Sequence, residues 1–286
     1  MKKLILLFAI FLLPYTAFCQ EDTLWRYTMQ TGLNFNQSSF NSNWMGGGVN
    51  SISLGSFFNY LLKFENDKVE WLNEIDLRYG ISKNENETSK KTSDRIFLDS
   101  KYGVKLNDNW RLFASLNFTT QFSEGYEYGD GGARAAKISD FMAPGYLTSS
   151  WGLEYKPVDY FWLRIGPFSP RITFVTEEEL QGNFGVAPGE SIRYEWLAFQ
   201  LVSEFNKTLN DNLTMKARYD FFANYEEFQA KKFDHRLEVM FTSAVTKLIN
   251  VNLGSIMMYD IDQIDGVQLS QTLAVGLQYR LSTMKK

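Results

Sequence analysis

From Leu24 to its C-terminal end the chain alternates apolar and polar side chains with a period of two, and this pattern most tightly bounds its fold. A period of two sends successive side chains to opposite faces of an extended strand, whereas a helix repeats about every 3.6 residues. Between positions 69 and 82, Val69, Trp71, Ile75, Leu77, Tyr79 and Ile81 share one face, opposite Glu70, Glu74, Asp76, Arg78, Gly80 and Ser82. Near the C-terminus Val267, Leu269, Leu273, Val275, Leu277, Tyr279 and Leu281 oppose Gln268, Ser270, Thr272, Gln278 and Arg280. About twelve such segments follow one another, each long enough for a tilted membrane strand of roughly ten residues with some extension.

The connections between segments alternate in length. Those near 65–68, 107–109, 157–159, 209–212 and 248–250 are tight, and those near 37–47, 84–93, 123–145, 173–190 and 225–232 are longer. Short turns on one side and long loops on the other characterise up-and-down outer-membrane barrels, and an even strand count puts both termini on the short-turn, periplasmic side. Pro144, Pro157, Pro167, Pro170 and Pro188 fall in or beside these connections, where a missing amide donor costs the ladder little.

Ahead of the alternation stands Met1-Lys2-Lys3, an apolar run from Leu4 to Leu13, and small or polar residues to Ala17-Phe18-Cys19-Gln20. This is the layout of a secretory signal peptide, expected to span 1–19 and leave a barrel domain over 20–286. Cys19 also sits where a lipid-modified cysteine would, but Phe18 is bulky for that processing. Ala17 and Cys19 instead fit the small positions of ordinary cleavage. Removing the segment takes away the only cysteine, which closes off disulfides, thiolate metal sites and a cysteine nucleophile. No later stretch approaches the roughly 18 apolar residues of a membrane helix, so any later crossing must be made by strands.

Alternation fits a soluble barrel or sandwich as well as a membrane one, and the mean hydropathy of -0.27 does not decide between them. The ends of the apolar face do. Trp25, Tyr60, Trp71, Trp110, Tyr155, Tyr160 and Tyr279 lie at the periplasmic ends, and Phe35, Tyr79, Phe122, Tyr219 and Tyr259 at the outer ends. Two aromatic belts bracketing aliphatic side chains match the two interfaces of a bilayer. The expected fold is therefore all-β, an antiparallel up-and-down transmembrane β-barrel of about twelve strands in the outer membrane. A net charge of -4 argues against a nucleic-acid partner, leaving outer-membrane lipid and other envelope proteins as the expected company.

The polar face, taken as the lumen, carries both signs of charge: Glu70, Glu74, Asp76, Arg78, Arg95, Asp99, Lys101, Arg111, Arg193, Glu195, Lys216, Arg218, Asp220, Arg236, Glu238 and Arg280. Such groups either line a water-filled path and set its ion preference, or pair across a narrow interior and plug it. His235 is the only histidine, so a lipid hydrolase built on the barrel wall would need it as the base for a serine. Its place on the lipid side near the outer rim suits that chemistry, but no serine stands in a distinguishing motif. A plain rim residue is the simpler reading, and acidic side chains are too scattered for a metal site. No catalytic residue, metal or cofactor is expected.

Two loops hold more than polar filler. The first runs Phe40-Asn41-Ser42-Asn43-Trp44-Met45-Gly46-Gly47-Gly48, where Trp44 could dock in the mouth and Gly46 and Gly47 permit close backbone approach. The fourth contains Thr176-Glu177-Glu178-Glu179, with capping-box spacing between Thr176 and Glu179 for one short helix, then Gly185-Val186-Ala187-Pro188-Gly189. It could fold inward as a constriction or outward as a partner surface. With the Trp-Met-Gly-Gly and Gly-Val-Ala-Pro-Gly stretches, and Ser169 to Thr173 before the second, the chain resembles a family of uncharacterised outer-membrane β-barrels from Bacteroidota, known only as a domain of unknown function. The resemblance implies outer-membrane location and no activity. Tyr279-Arg280-Leu281, followed by Ser282 to Lys286, departs from barrels that stop on a terminal aromatic. The expected function is non-enzymatic, either a narrow channel for small polar solutes or a subunit of an envelope assembly. A barrel lipid hydrolase and a soluble secreted β-protein are the alternatives.

Overall fold

The computed structural model describes residues 24–41, 43, 45, 49–129 and 132–284. The expected signal peptide over 1–19 and the loop residues Trp44, Gly46 and Gly47 lie outside the described residues. In chain order the strands are β1 (Trp25–Ser38), β2 (Ser51–Glu65), β3 (Val69–Asn84), β4 (Lys90–Lys105), β5 (Trp110–Thr120), β6 (Gly125–Tyr128), β7 (Arg134–Ser139) and β8 (Gly145–Val158). They continue as β9 (Phe161–Phe168), β10 (Arg171–Phe174), β11 (Ile192–Glu195), β12 (Ala198–Asn210), β13 (Leu213–Asn224), β14 (Asp234–Ala244), β15 (Ile249–Asp260) and β16 (Ile264–Ser282).

Twelve of these described strands close a ring in the order β8-β5-β4-β3-β2-β1-β16-β15-β14-β13-β12-β9, with β9 returning to β8. Every pairing is antiparallel, and the first and last strands meet from Thr28↔Ser282 to Phe35↔Val275. Closure leaves no wall edge with unpaired backbone groups, the condition for crossing lipid with strands. The tight turns span 66–68, 106–109, 159–160, 211–212 and 245–248, and the outer connections 39–50, 85–89, 121–144, 169–197, 225–233 and 261–263. Two outer connections are shorter than the alternation of lengths suggested, because β3 and β4, like β15 and β16, run on past the rim as hairpins.

The two faces of the wall are inverted relative to a soluble protein. Outward-facing Leu273 is 63% exposed and Trp151 55%, while inward-facing Lys101 is 1% exposed and Glu154 2%. Large apolar side chains left open around the whole circumference, with ionic groups buried inside, are stable only when lipid is the outer solvent. The soluble alternative fails on this inversion. Aromatic contacts mark both ends of the apolar band. Trp25 packs on Phe64 and Trp71 with ring centroids 5.1 and 5.7 Å apart, and Trp110 on Tyr155 at 4.8 Å, at the periplasmic end. Tyr79 meets Phe122, and Phe199 meets Phe221, at the outer end. The chain is a transmembrane barrel of the outer-membrane type, and no described helix is long and apolar enough to cross a membrane.

The remaining strands belong to a folded cap. β6 and β7 form a hairpin within 121–144, while β10 and β11 extend the wall above β8 within 169–197. These two connections pack on each other through buried Ala143, Val175, Leu180, Phe184 and Val186. Between β10 and β11 lies a 3-10 helix, Glu178–Phe184, ended by Gly185 at a φ of 65°, a left-handed conformation that glycine adopts without strain. The anticipated capping box does not form. Thr176 instead donates its hydroxyl to the Phe141 carbonyl at 3.1 Å, docking one connection on the other, and the N-cap position falls to Glu177.

Candidate functional site

The lumen is the candidate site, and register decides what meets inside it. On β3 and β4 the inward positions are even and odd respectively, so Glu70, Glu74, Asp76 and Arg78 face Arg95, Asp99 and Lys101 side by side. Near the periplasmic end Lys101 donates from Nζ to Glu70 at 2.6 Å and to both Glu154 oxygens at 2.8 Å. Arg164 joins Glu154 to Asp99, 3.1 Å from each, and Arg111 stands 3.8 Å from Glu154. Lys63 reaches Glu65 and Glu70, and Lys105 reaches Glu65.

Higher in the barrel the pairs cross from wall to wall. Arg95 on β4 donates to Glu238 on β14 at 2.8 Å, and five strands separate β4 from β14 either way round the ring. Arg78 reaches the same carboxylate at 3.4 Å and holds Asp76 at 2.6 Å, and Arg236 closes on Glu238 at 2.8 Å. Lys216 on β13 stands 3.6 Å from Glu74 on β3, again diametrically opposite, and 3.3 Å from Glu204. Arg218 pairs with Asp220 at 3.0 Å. Twelve strands about 4.8 Å apart and tilted about 40° would close a circle about 24 Å across at the Cα atoms. An extended arginine and glutamate joined by a hydrogen bond span only about 15 Å. The section is therefore flattened, with β3 and β4 drawn toward β13 and β14.

This belt of ion pairs divides the interior into two sectors. Along β5, β8, β9 and β12 the inward Phe113, Thr148, Ser150, Glu154, Arg164 and Val202 are all buried. That sector is packed apart from a small cavity beside the partly exposed Ser115, Asn117 and Gln200, and the cap lies over its outer end. Along β15, β16, β1 and β2 the interior is different. None of the fully buried polar side chains belongs to β1, β2 or β16 among the described residues. The inward Gln30, Asn34, Asn59 and Gln278 stay partly open to solvent, and Ser270 and Thr272 toward the outer end and Arg26 and Arg280 toward the periplasm are exposed. Glycines on this inner face admit larger neighbours, the Phe57 ring packing on Gly32 and Met240 on Gly254, while a Cβ on Gly55 would meet nothing nearer than Asn34 at 3.6 Å. The result is a more loosely filled sector in which amides and hydroxyls, with Phe57, Leu61, Ile256 and Met258 among them, keep partial exposure to solvent.

At the outer mouth Arg171 on β10 pairs with Asp234 on β14 at 2.7 Å, its guanidinium over the Phe222 ring, and Arg193 on β11 reaches Asp262 at 2.6 Å and Glu195 at 3.3 Å. The sequence put Arg193 and Glu195 in the lumen; they stand instead above the wall, because β11 rises from the β10 hairpin and not from the ring. Outside the membrane Lys137 holds Asp140 and, at 2.8 Å, Glu177. Burial works against the charged form of Asp140, but the Lys137 ammonium and the Phe141 amide outweigh it and hold the carboxyl below its usual range. Hydrogen bonds from Lys137 to Asp140 and then Glu177 raise the pKa of the ammonium.

Glu179 is exposed on the cap beside Lys137, and Gly185, Pro188 and Gly189 belong to the same cap, with Gly189 at a φ of 84° and its amide donating to Gln181. The sequence reading passed over Glu154, Arg164, Lys63 and Glu204, which join the networks. The signal was present, since Trp151-Gly-Leu-Glu-Tyr-Lys and Leu163-Arg-Ile alternate as cleanly as the strands that were read. His235 faces outward at the upper rim, its Nδ1 2.8 Å from the Tyr219 hydroxyl and its ring 5.1 Å from Phe221. No serine hydroxyl bonds to it among the described residues, and those residues hold no cluster of three potential metal ligands.

Comparison with known proteins adds a family without a function. Residues 35–126 match the model of a family described as "Protein of unknown function (DUF3078)". That range holds the Trp-Met-Gly-Gly stretch but not Gly-Val-Ala-Pro-Gly. No curated protein matches the chain. Among solved structures it is similar to the COG4313 outer membrane channel from Pseudomonas putida F1, at 8% identity and a TM-score of 0.42, covering 94% of this chain and 99% of that one. It is also similar to the NanC porin, at 9% identity and 0.40, covering 88% and 100%. For the CymD monoaromatic hydrocarbon channel the values are 11% and 0.34, covering 91% and 88%.

Proposed function

We propose that the protein is a narrow, non-enzymatic passage for small polar solutes across the outer membrane, and that the route is the wet sector along β15, β16, β1 and β2. The observation that carries this reading is the contrast between sectors. Inward polar side chains on β1, β2 and β16 keep contact with solvent from the outer mouth to the periplasmic end, while Glu70, Asp76, Asp99, Lys101, Glu154, Arg164 and Arg218 in the charged half are buried in ion pairs. A water path needs polar, solvent-accessible lining, and the inward Gln30, Asn34, Asn59, Ser270, Thr272 and Gln278 supply it here. The partner of His235 is a tyrosine on the lipid side, which favours a rim role over general-base chemistry.

The test is conductance of the refolded mature chain in a planar lipid bilayer, beside a Gly55→Trp variant. Gly55 faces inward with room at its Cβ, so a tryptophan there fills the passage without moving the wall. Small unitary steps that the variant loses while keeping its heat-modifiable mobility on a gel support the reading. Steps that persist unchanged in the variant place the path elsewhere, and silence from folded parent protein removes it. Service as a subunit of an envelope assembly is the second reading, favoured by the stacked pair Tyr194 and Trp196, both more than half exposed above the outer rim.

A further inference from the structure

Charge along the barrel axis is sorted by height, and from this we infer that the passage takes net-neutral solutes, uncharged or zwitterionic, and disfavours cations and anions of equal size. The inference rests on the passage proposed above and names what it would carry. At mid-height the cross-wall belt is balanced, Asp76, Glu74, Glu204, Asp220 and Glu238 being matched by Arg78, Arg95, Arg236, Lys216 and Arg218. The wet sector beside it is lined by uncharged groups, so the middle of the route selects for hydrogen bonding and not for sign.

The two ends do not balance. In the periplasmic half Glu65, Glu70, Asp99 and Glu154 are met by the five cations already named as their partners. Lys156, Arg26 and Arg280 face the same interior with no ion-pair partner among the described residues, so this half is positive. At the outer mouth the sign reverses. Glu195, Glu227, Asp234, Asp260 and Asp262 outnumber Arg171, Arg193 and Lys232 around one cavity. A cation is drawn to the mouth and repelled below it, an anion is repelled at the mouth, and a solute with no net charge meets neither barrier. A zwitterion gains further, because its ammonium can trail toward the acidic mouth while its carboxylate leads toward the basic half. The low-dielectric wall keeps these fields from being screened as they would be in bulk solvent.

Entry of labelled alanine, lactamide, lactate and ethanolammonium into proteoliposomes at neutral pH and low ionic strength tests this, since the four are close in size and differ in charge. Alanine and lactamide should enter at similar rates, each about tenfold faster than either ion. Replacing the exposed Arg26 and Arg280 together by glutamine should raise ethanolammonium entry several-fold and leave alanine entry unchanged. Equal entry of all four leaves the passage standing and overturns the inference, as does a double variant with parental selectivity and normal heat-modifiable mobility. No entry of any solute together with no conductance removes the passage itself, and the inference with it.

Discussion

Lys101 is the side chain whose loss the fold should feel most. It is 1% exposed, and its ammonium bonds three carboxylate oxygens on two residues, Glu70 and Glu154. Lys101→Met keeps an unbranched chain of similar bulk and removes only the charge. Removing one partner of a buried ionic network costs about 3 to 5 kcal/mol, because the charge left behind can neither be hydrated nor paired. Here neither orphaned carboxylate is left bare, Glu70 keeping Lys63 at 3.1 Å and Glu154 keeping Arg164 at 3.1 Å and Arg111 at 3.8 Å, which places the cost at the low end, about 3 kcal/mol. Reversible guanidinium unfolding of the refolded barrel from phospholipid vesicles measures it. In a Glu70→Gln background only Glu154 is orphaned, so the same substitution should cost about 1 to 2 kcal/mol less, the coupling expected of groups sharing one network. A loss under about 1 kcal/mol in the single variant, or strict additivity in the double, would refute the view that these charges are buried and interdependent.

Three further outcomes follow from the packing. Leu180→Ala removes a 1% exposed side chain from the cap and should cost the cap about 3 kcal/mol. The readout is faster proteolysis within 169–197, with the unfolding midpoint of the barrel unmoved. A Cβ on Gly152 would stand 1.9 Å from the Ile165 carbonyl oxygen, so Gly152→Ala should cut refolding yield sharply by forcing β8 from β9, while Gly55→Ala folds normally. The Asp140 carboxyl is held below its usual range, so its contribution to docking the cap is present above the pKa of the unfolded group and is lost as pH falls through the folded value. The raised Lys137 ammonium contributes below its unfolded pKa and is lost as pH rises through the folded one. Protection of the Val175 and Val186 amides, taken relative to their intrinsic exchange rate at each pH, should therefore be greatest between these limits and fall at both acidic and strongly alkaline pH.

What the sequence made legible follows from the range of the forces involved. Alternation is local, so each strand declared its two faces, and Trp71, Tyr79 and Tyr279 marked the bilayer boundaries. That Glu70, Asp76 and Arg78 point inward was readable from the same pattern. Their partners were not, because Arg95 meets Glu238 only once twelve registers have closed and the ring has flattened. Whether the lumen was plugged or open admitted no local answer either. Ion pairing fills the half where long charged side chains face one another, and the half lined by Gln30, Asn34, Asn59 and Gln278 keeps partial exposure to solvent. The cap was the least legible part. The spacing of Thr176 and Glu179 suggested a capped helix, but the Thr176 hydroxyl is claimed by a carbonyl 35 residues away in sequence.

The division of the lumen into a wet and a packed sector is the claim on which the rest depends, and cysteine accessibility tests it most directly, because Cys19 is the only cysteine of the chain and stands in the expected signal peptide. Single cysteines at Asn34 and Gln278 in the wet sector and at Thr148 and Ser150 in the packed one would each be challenged with a small charged thiol reagent in folded, vesicle-embedded protein. Rapid labelling at Asn34 and Gln278, with none at Thr148 and Ser150 until the barrel is unfolded, is the predicted result. Equal protection at all four would mean a lumen sealed across its whole section, and equal labelling would mean that the ion-pair belt divides nothing.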